Sequence, residues 1–339
     1  MPDGNFAVPL LAVEDLTVRF KRRGTDVAAV NGVNFSLARG EVLTILGESG
    51  SGKSVSLKAT MGLLPDYARI DGKIKLDGRD ILSLPRAELT KLRGSAISMI
   101  FQEPMTAFDP VYTIGEQISE TIVQHEGISR ADAGKRALEL LERVKIPSAS
   151  RRLKNYPHEM SGGMRQRAMI ALALACNPSV LLADEPTTAL DVTVQIQILL
   201  LLRQLQQELG MAIVFVTHDV GVAAEISDRI AVMYAGKFVE TGDVRPIIRA
   251  PKHPYTRGLL NSTVHGGMRG QVLQTILGTP PNMADPPPGC AFAPRCAHAL
   301  AACVEQDPPA IFPAPGTMLR CLRAADLVPA RAKETDDAQ

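Results

Sequence analysis

The sequence predicts an α/β fold with a largely parallel sheet, an inserted helical lobe and a small cysteine-rich C-terminal domain. Three observations carry this. A glycine-rich loop, Gly47-Glu48-Ser49-Gly50-Ser51-Gly52-Lys53-Ser54, joins a strand-like apolar run to a helix-like segment. Short runs rich in Val, Ile and Leu then alternate with longer segments of helical period, as when parallel strands are connected by helices. Finally, prolines crowd positions 280–288, just ahead of Cys290, Cys296, Cys303 and Cys321. Such a stretch has little core of its own.

Taken in order, Leu11–Phe20, Gly32–Leu37 and Glu41–Leu46 have strand character, with breaks at Arg22-Arg23-Gly24 and Arg39-Gly40. A helix is predicted from Lys53. Residues 105–175 read as helical. Thr113 with Glu116 three residues on fits a capping box, and Arg130–Val144 sets Ala137, Leu140, Leu141 and Val144 on one face. Val180–Ala183 and Ile213–Thr217 read as buried strands, and Val192–Leu209 as a helix that Gly210 ends. Past residue 250 the prolines argue against regular structure, and the polar stretch from about 330 is expected to fray. The expected domains are 8–250, with the helical subdomain at 105–175, and 251–330.

Composition excludes several classes. Among 339 residues, 37 are basic and 36 acidic, leaving a net charge of +1. Nucleic-acid binding needs a basic excess that is missing here. The longest apolar run, Ala168–Cys176, is far short of the ~18 residues of a membrane span. The N-terminal stretch carries Asp3, Glu14 and Asp15 and lacks the basic-then-apolar pattern of a secretion signal. The expectation is a soluble cytosolic chain that meets a membrane only through a partner.

The loop at 47–54 has the form G-x-x-x-x-G-K-[ST]. Its glycines let the backbone curl so that amide N–H groups point at phosphate oxygens, and the following helix adds its positive end. Lys53 is placed to reach the β- and γ-phosphates, and the Ser54 hydroxyl to bind Mg²⁺. The motif alone does not separate kinases, GTPases and transport ATPases.

Ser179-Val-Leu-Leu-Ala-Asp184-Glu185-Pro186 is an apolar strand ending in two carboxylates. Asp184 is placed to hold Mg²⁺ through water, and Glu185 to act as general base on the attacking water. An Asp-Glu turn after a strand is common by itself, so the pair takes its meaning from the phosphate loop upstream. Gln102 and His218 each follow an apolar run; one could contact Mg²⁺ and water, the other the γ-phosphate. Met160-Ser161-Gly162-Gly163-Met164-Arg-Gln-Arg167 opens a helix with Ser161 as N-cap, a second phosphate-binding helix start. One nucleotide needs only one phosphate loop, so a second grip fits ATP held by another subunit.

The succession of phosphate loop, Gln102, Ser161-Gly162-Gly163, Asp184-Glu185, Ala189-Leu190-Asp191 and His218 resembles the ATP-binding cassette (ABC) ATPases over about residues 10–250. The resemblance implies a RecA-like lobe, an antiparallel β subdomain and an inserted helical subdomain. It implies that Ser161 and Gly163 contact the γ-phosphate of ATP on an opposing subunit. It places Asp191 in the loop coupling the two sites and makes Phe20 the adenine-stacking aromatic, although an aromatic so near a strand end is usually core. Met164 stands where the general pattern has Gln.

Further segments resemble the oligopeptide/dipeptide (peptide/nickel) importer ATPases: Met164-Arg-Gln-Arg167, Pro104-Met-Thr-Ala-Phe-Asp-Pro110, His253-Pro-Tyr-Thr256 and Gly289-Cys-Ala-Phe-Ala-Pro-Arg-Cys296. Phe108-Asp109 departs from the Leu-Asn of that group. The cysteines run C-x5-C-x6-C-x17-C, wider than usual for structural zinc. Spacing alone leaves metal, free thiols or disulfides open. The resemblance implies a [4Fe–4S] cluster on Cys290, Cys296, Cys303 and Cys321.

The implied function is that of an ATP-hydrolysing subunit of an importer for di- or oligopeptides, working at the cytoplasmic face of the plasma membrane. The implied partners are two transmembrane permease subunits, a second ATPase subunit of paralogous type and an extracytoplasmic solute-binding protein. The alternatives are a nickel or other small-solute importer of the same kind, or a soluble ABC ATPase of DNA repair or translation.

Overall fold

A computed structural model describes residues 8–22, 24–188, 190–262 and 275–327. Its strands are β1 (Leu11–Arg22), β2 (Thr25–Leu37), β3 (Val42–Leu46), β4 (Ala68–Leu76), β5 (Arg79–Asp80), β6 (Ile97–Ile100), β7 (Val180–Asp184), β8 (Ala212–Thr217), β9 (Arg229–Tyr234), β10 (Lys237–Asp243) and β11 (Met318–Leu319). They form two sheets. The larger runs β11-β10-β9-β3-β8-β7-β6, the smaller β2-β1-β4-β5.

In the larger sheet β9, β3, β8, β7 and β6 pair in parallel, and β10 and β11 add antiparallel to the β9 edge. Every residue of β3, β6, β7 and β8 is buried. Continuous apolar runs such as Val-Leu-Leu-Ala are what a sheet covered on both faces requires. The smaller sheet is antiparallel throughout.

Two apolar cores meet across the larger sheet. Leu11, Val18, Val30 and Ile74 of the small sheet pack with Leu43, Leu57, Val180 and Val214, clamping helix Lys53–Thr60 between the sheets. On the other side Ile114, Ile118, Ile122, Ala133, Ala137, Leu141 and Met169 of the helical lobe pack with Leu181, Phe215, Ile198 and Leu202. A third cluster, Tyr234, Tyr255, Leu259 and Phe292, ties the C-terminal third to β9 and β10.

Local signals held where they were self-contained. The Thr113 hydroxyl accepts from the Glu116 N–H and the Glu116 carboxylate accepts from the Thr113 N–H, closing the capping box on helix Ile114–Glu126. Gly210, at φ 63°, ends helix Val192–Leu209. The helical middle spans Pro104–Ala107 to Gly162–Ala173.

Other elements lay beyond the local pattern. Strands β4, β9 and β10 were not foreseen, and β2 begins at Thr25, earlier than Gly32. The expectation of no regular structure past 250 is corrected at two places. Pro254 sits at the first position of helix Pro254–Asn261, where its missing N–H is harmless, and His253 caps it. Met318 and Leu319 pair with Thr241 and Glu240, so the tail supplies the last strand of the main sheet. The expected fraying from about 330 and the N-terminal Asp3 lie outside the described residues. Among the described residues no helix is long and apolar enough to cross a membrane.

Candidate active site

The C-terminal ends of β3, β7 and β8 open onto one cleft of about 680 Å³, lined by residues from the phosphate loop, from Gln102, Glu185, Thr188 and His218, and from Leu259, Ser262 and Ile276. Ligand sites in open parallel sheets lie at this end.

Two glycines of the loop are sterically required. A Cβ at Gly47 would stand 2.3 Å from the Met233 carbonyl oxygen, and one at Gly52, where φ is 105°, would stand 2.4 Å from that of Ala29. Lys53 is buried, 4 % exposed, and its ammonium donates to the carbonyls of Gly47 (2.7 Å) and Glu48 (2.9 Å). Burial pulls its pKa down, against the pull of Glu185, Asp184 and Glu48. The loop's own carbonyls thus hold the cation over the cleft.

Ser54 and Asp184 meet directly. The Ser54 hydroxyl donates to Asp184 Oδ1 over 2.6 Å. Burial pushes the Asp184 carboxyl above its ordinary range, and the Ser54 hydrogen bond opposes this. Two hard oxygen donors side by side at a phosphate loop fit a Mg²⁺ ion, which takes oxygen ligands and keeps several waters.

Glu185 sits in the left-handed region, φ 46°, a conformation uncommon for a non-glycine residue. Its N–H donates to the Val216 carbonyl over 3.0 Å, which pins that turn to β8. The carboxylate gathers the other predicted polar residues. Oε2 accepts from Gln102 Nε2 (3.4 Å) and the Thr188 hydroxyl (3.0 Å) and lies 3.2 Å from His218 Nδ1. Oε1 is 3.9 Å from the Lys53 ammonium. Thr188 was not foreseen, because its role exists only through the turn at Glu185.

The remaining predicted residues lie elsewhere. Ser161 caps helix Gly162–Ala173, its hydroxyl accepting from the Met164 N–H over 3.4 Å. Ser161 and Gly162 are exposed, and neither they nor Gly163 line the cleft. A Cβ at Gly163 would meet Val194 at 3.0 Å, so this glycine lets the helix start approach the one at 192. Asp191 caps helix Val192–Leu209, accepting from the Val194 N–H over 2.9 Å. Ala189, of the same predicted motif, lies outside the described residues. Phe20 is not among the residues lining the cleft. It packs against Tyr67, ring centroids 6.0 Å apart, and against the small-sheet core.

Cys290, Cys296, Cys303 and Cys321 are all free thiols, and all border one small cavity beside His253 and Phe292. Yet among the described residues no three His, Cys, Asp or Glu side chains come together as a group able to hold a metal ion. Burial raises the Cys290 thiol to about 11 and pushes those of Cys296 and Cys321 up. The arrangement of these residues gives the implied iron–sulfur cluster no support.

The chain matches the family model "ABC transporter" over residues 30–188 and "Oligopeptide/dipeptide transporter, C-terminal region" over 239–303. It is 50 % identical over 317 residues to the oligopeptide transport ATP-binding protein OppD of Salmonella typhimurium, covering 94 % of each chain. It is 48 % identical over 296 residues to the dipeptide transport ATP-binding protein DppD of Bacillus subtilis, covering 87 % of this chain and 88 % of that one. Among solved structures it resembles the ATP-binding cassette MJ0796 bound to ADP and Pi, at TM-score 0.63 and 32 % identity, over 69 % of this chain and 99 % of that one. The cleft described above is therefore that of an ATP-binding cassette, and the chain belongs to the ABC transporter ATPases, in the group of oligopeptide/dipeptide transport ATP-binding subunits.

Proposed function

We propose that the chain hydrolyses ATP to drive uptake of di- or oligopeptides through separate membrane subunits. The observation that carries the enzymatic reading is the gathering of Lys53, Gln102, Thr188 and His218 around the Glu185 carboxylate at the mouth of the phosphate loop. The peptide cargo is supported by the names of the relatives and by the match of the C-terminal third.

In this reading the amides of 47–54 and Lys53 hold the triphosphate. Ser54 and Asp184, with Gln102, would hold Mg²⁺, which would neutralise phosphate charge. Glu185 takes a proton from the attacking water, and Gln102, Thr188 and His218 fix its orientation. Ser161, Gly162 and Gly163, exposed and away from the chain's own cleft, serve the ATP of an opposing cassette, and Asp191 lies beside that junction. Phe20, its ring packed against Tyr67, is the aromatic assigned to stack on the adenine.

Residues 8–250 make up the cassette, 105–175 its helical subdomain and 251–330 a C-terminal domain. The partners are two permease subunits, a paralogous cassette and an extracytoplasmic binding protein, with this chain at the cytoplasmic face of the plasma membrane. Cells lacking the gene should stop taking up a labelled tripeptide, with uptake restored by the wild-type chain and not by Glu185→Gln. Normal tripeptide uptake with lost nickel uptake would reassign the cargo.

A further inference from the structure

The lip of the phosphate loop is held from the far end of the chain. The Glu48 main-chain N–H donates to the Tyr255 hydroxyl over 2.9 Å. The Glu48 carboxylate takes both arms of the Arg295 guanidinium, Nη1 to Oε2 at 2.7 Å and Nη2 to Oε1 at 3.0 Å. Arg295 is 5 % exposed and Glu48 27 %.

Both holders are themselves fixed. Arg295 donates through Nε to the Leu277 carbonyl (3.1 Å) and through Nη1 to the Tyr234 hydroxyl (3.3 Å), with its guanidinium carbon 5.8 Å from the Tyr234 ring centroid. Tyr255 is fully buried, its ring 4.5 Å from that of Tyr234 and 5.4 Å from that of Phe292. Its N–H donates to His253 Nδ1 over 3.0 Å. Thus two C-terminal motifs, His253-Pro-Tyr-Thr256 and Ala293-Pro-Arg295-Cys296, converge on a single residue of the phosphate loop.

We infer that Arg295 and Tyr255 are positioning residues for the nucleotide, which fix Glu48 at the cleft and cancel its charge before a polyanion arrives. This rests on the nucleotide reading of the cleft. Glu48 lines that cleft, so an unpaired carboxylate there would repel the triphosphate. A bidentate, desolvated arginine both neutralises the charge and sets the direction of the side chain. Tyr255 fixes the main chain of the same residue.

The test is titration of the purified full chain with a fluorescent ATP analogue and Mg²⁺. Arg295→Met should bind roughly 10- to 100-fold more weakly, the usual effect of losing a charged hydrogen-bond partner. Arg295→Met with Glu48→Gln should recover most of that loss, because the uncancelled charge is gone. The deficit of the single variant should shrink as KCl rises from low to high ionic strength, which a merely structural defect would not do. Tyr255→Phe should weaken binding several-fold. Should Arg295→Met fail to fold, Arg295→Lys carries the test, since it keeps the charge and loses the fork; it should bind several-fold more weakly. Unchanged affinity in both Arg295 variants, or a loss that neither Glu48→Gln nor salt relieves, overturns the inference. Wild-type protein that binds no nucleotide would instead overturn the reading of the cleft.

Discussion

Ser54 and Asp184, 130 residues apart, share a hydrogen bond of 2.6 Å between the first turn of the phosphate-loop helix and the end of β7. The hydroxyl and the carboxylate would together hold Mg²⁺ at the mouth of the phosphate loop, Ser54 directly and Asp184 through water. The pairing follows from the sheet: β7 and β3 flank β8, in parallel register with it.

That relationship predicts the behaviour of Asp184→Asn. The amide oxygen keeps an acceptor for Ser54 and removes the charge. Hydrolysis should fall at least about 100-fold, the usual scale of an electrostatic group at such a centre. A Mg²⁺ titration of the residual rate should need roughly tenfold more ion. Unaltered Mg²⁺ dependence would remove Asp184 from that role.

Glu185→Gln should leave ATP binding intact and cut turnover by about 10²- to 10⁴-fold, the range of general-base catalysis. The amide can still meet Thr188 and Gln102, so the turn at φ 46° is kept. Single-turnover hydrolysis beside equilibrium binding separates the two effects, and wild-type turnover would reject Glu185 as the base.

Ser161→Ala tests the opposing-site role. With two distinguishable cassettes assembled, the variant should lower vanadate trapping of nucleotide on the partner's phosphate loop by on the order of 10-fold. Trapping on its own loop should persist, since Ser161 lies outside its own cleft. Loss confined to its own site would refute a shared pocket.

How far the sequence could be read follows the reach of each interaction. The phosphate loop was legible because Gly47 and Gly52 answer to backbone atoms that any side chain would strike. The capping box at Thr113 and Glu116 spans three residues, so it too was plain. The tie between Arg295 and Glu48 spans 247 residues, and that between Tyr255 and Glu48 spans 207. Neither end announces the other; the motifs holding Tyr255 and Arg295 were visible and their meeting point was not. The cysteine spacing likewise carried no information on whether the thiols converge at ligating distance, and among the described residues no three of them do. Strand β9 was missed for a related reason, since its parallel pairing with β3 depends on a partner distant in sequence.

The last prediction concerns acid. His253 is buried, and its Nδ1 accepts from Tyr255 while its main-chain N–H donates to Glu240 Oε2 over 3.0 Å. Burial lowers its pKa from 6.5 to about 4, against a hydrogen bond to the Arg320 backbone. The unfolded chain therefore takes up a proton as pH falls through 6.5, and the folded chain only near 4. Stability is full above pH 6.5 and declines across that window, by roughly 3 kcal/mol if the whole shift is expressed. His253→Asn keeps an acceptor for the Tyr255 N–H, as Asn does at helix N-caps, and carries no titrating group. Thermal melts followed by circular dichroism should show the wild type losing midpoint temperature between pH 6.5 and 4 faster than this variant. Carboxylates that titrate in the same range are common to both proteins and drop out of the difference. Parallel curves would mean that the fold does not hold the His253 pKa down, and burial as the cause of the shift would be rejected.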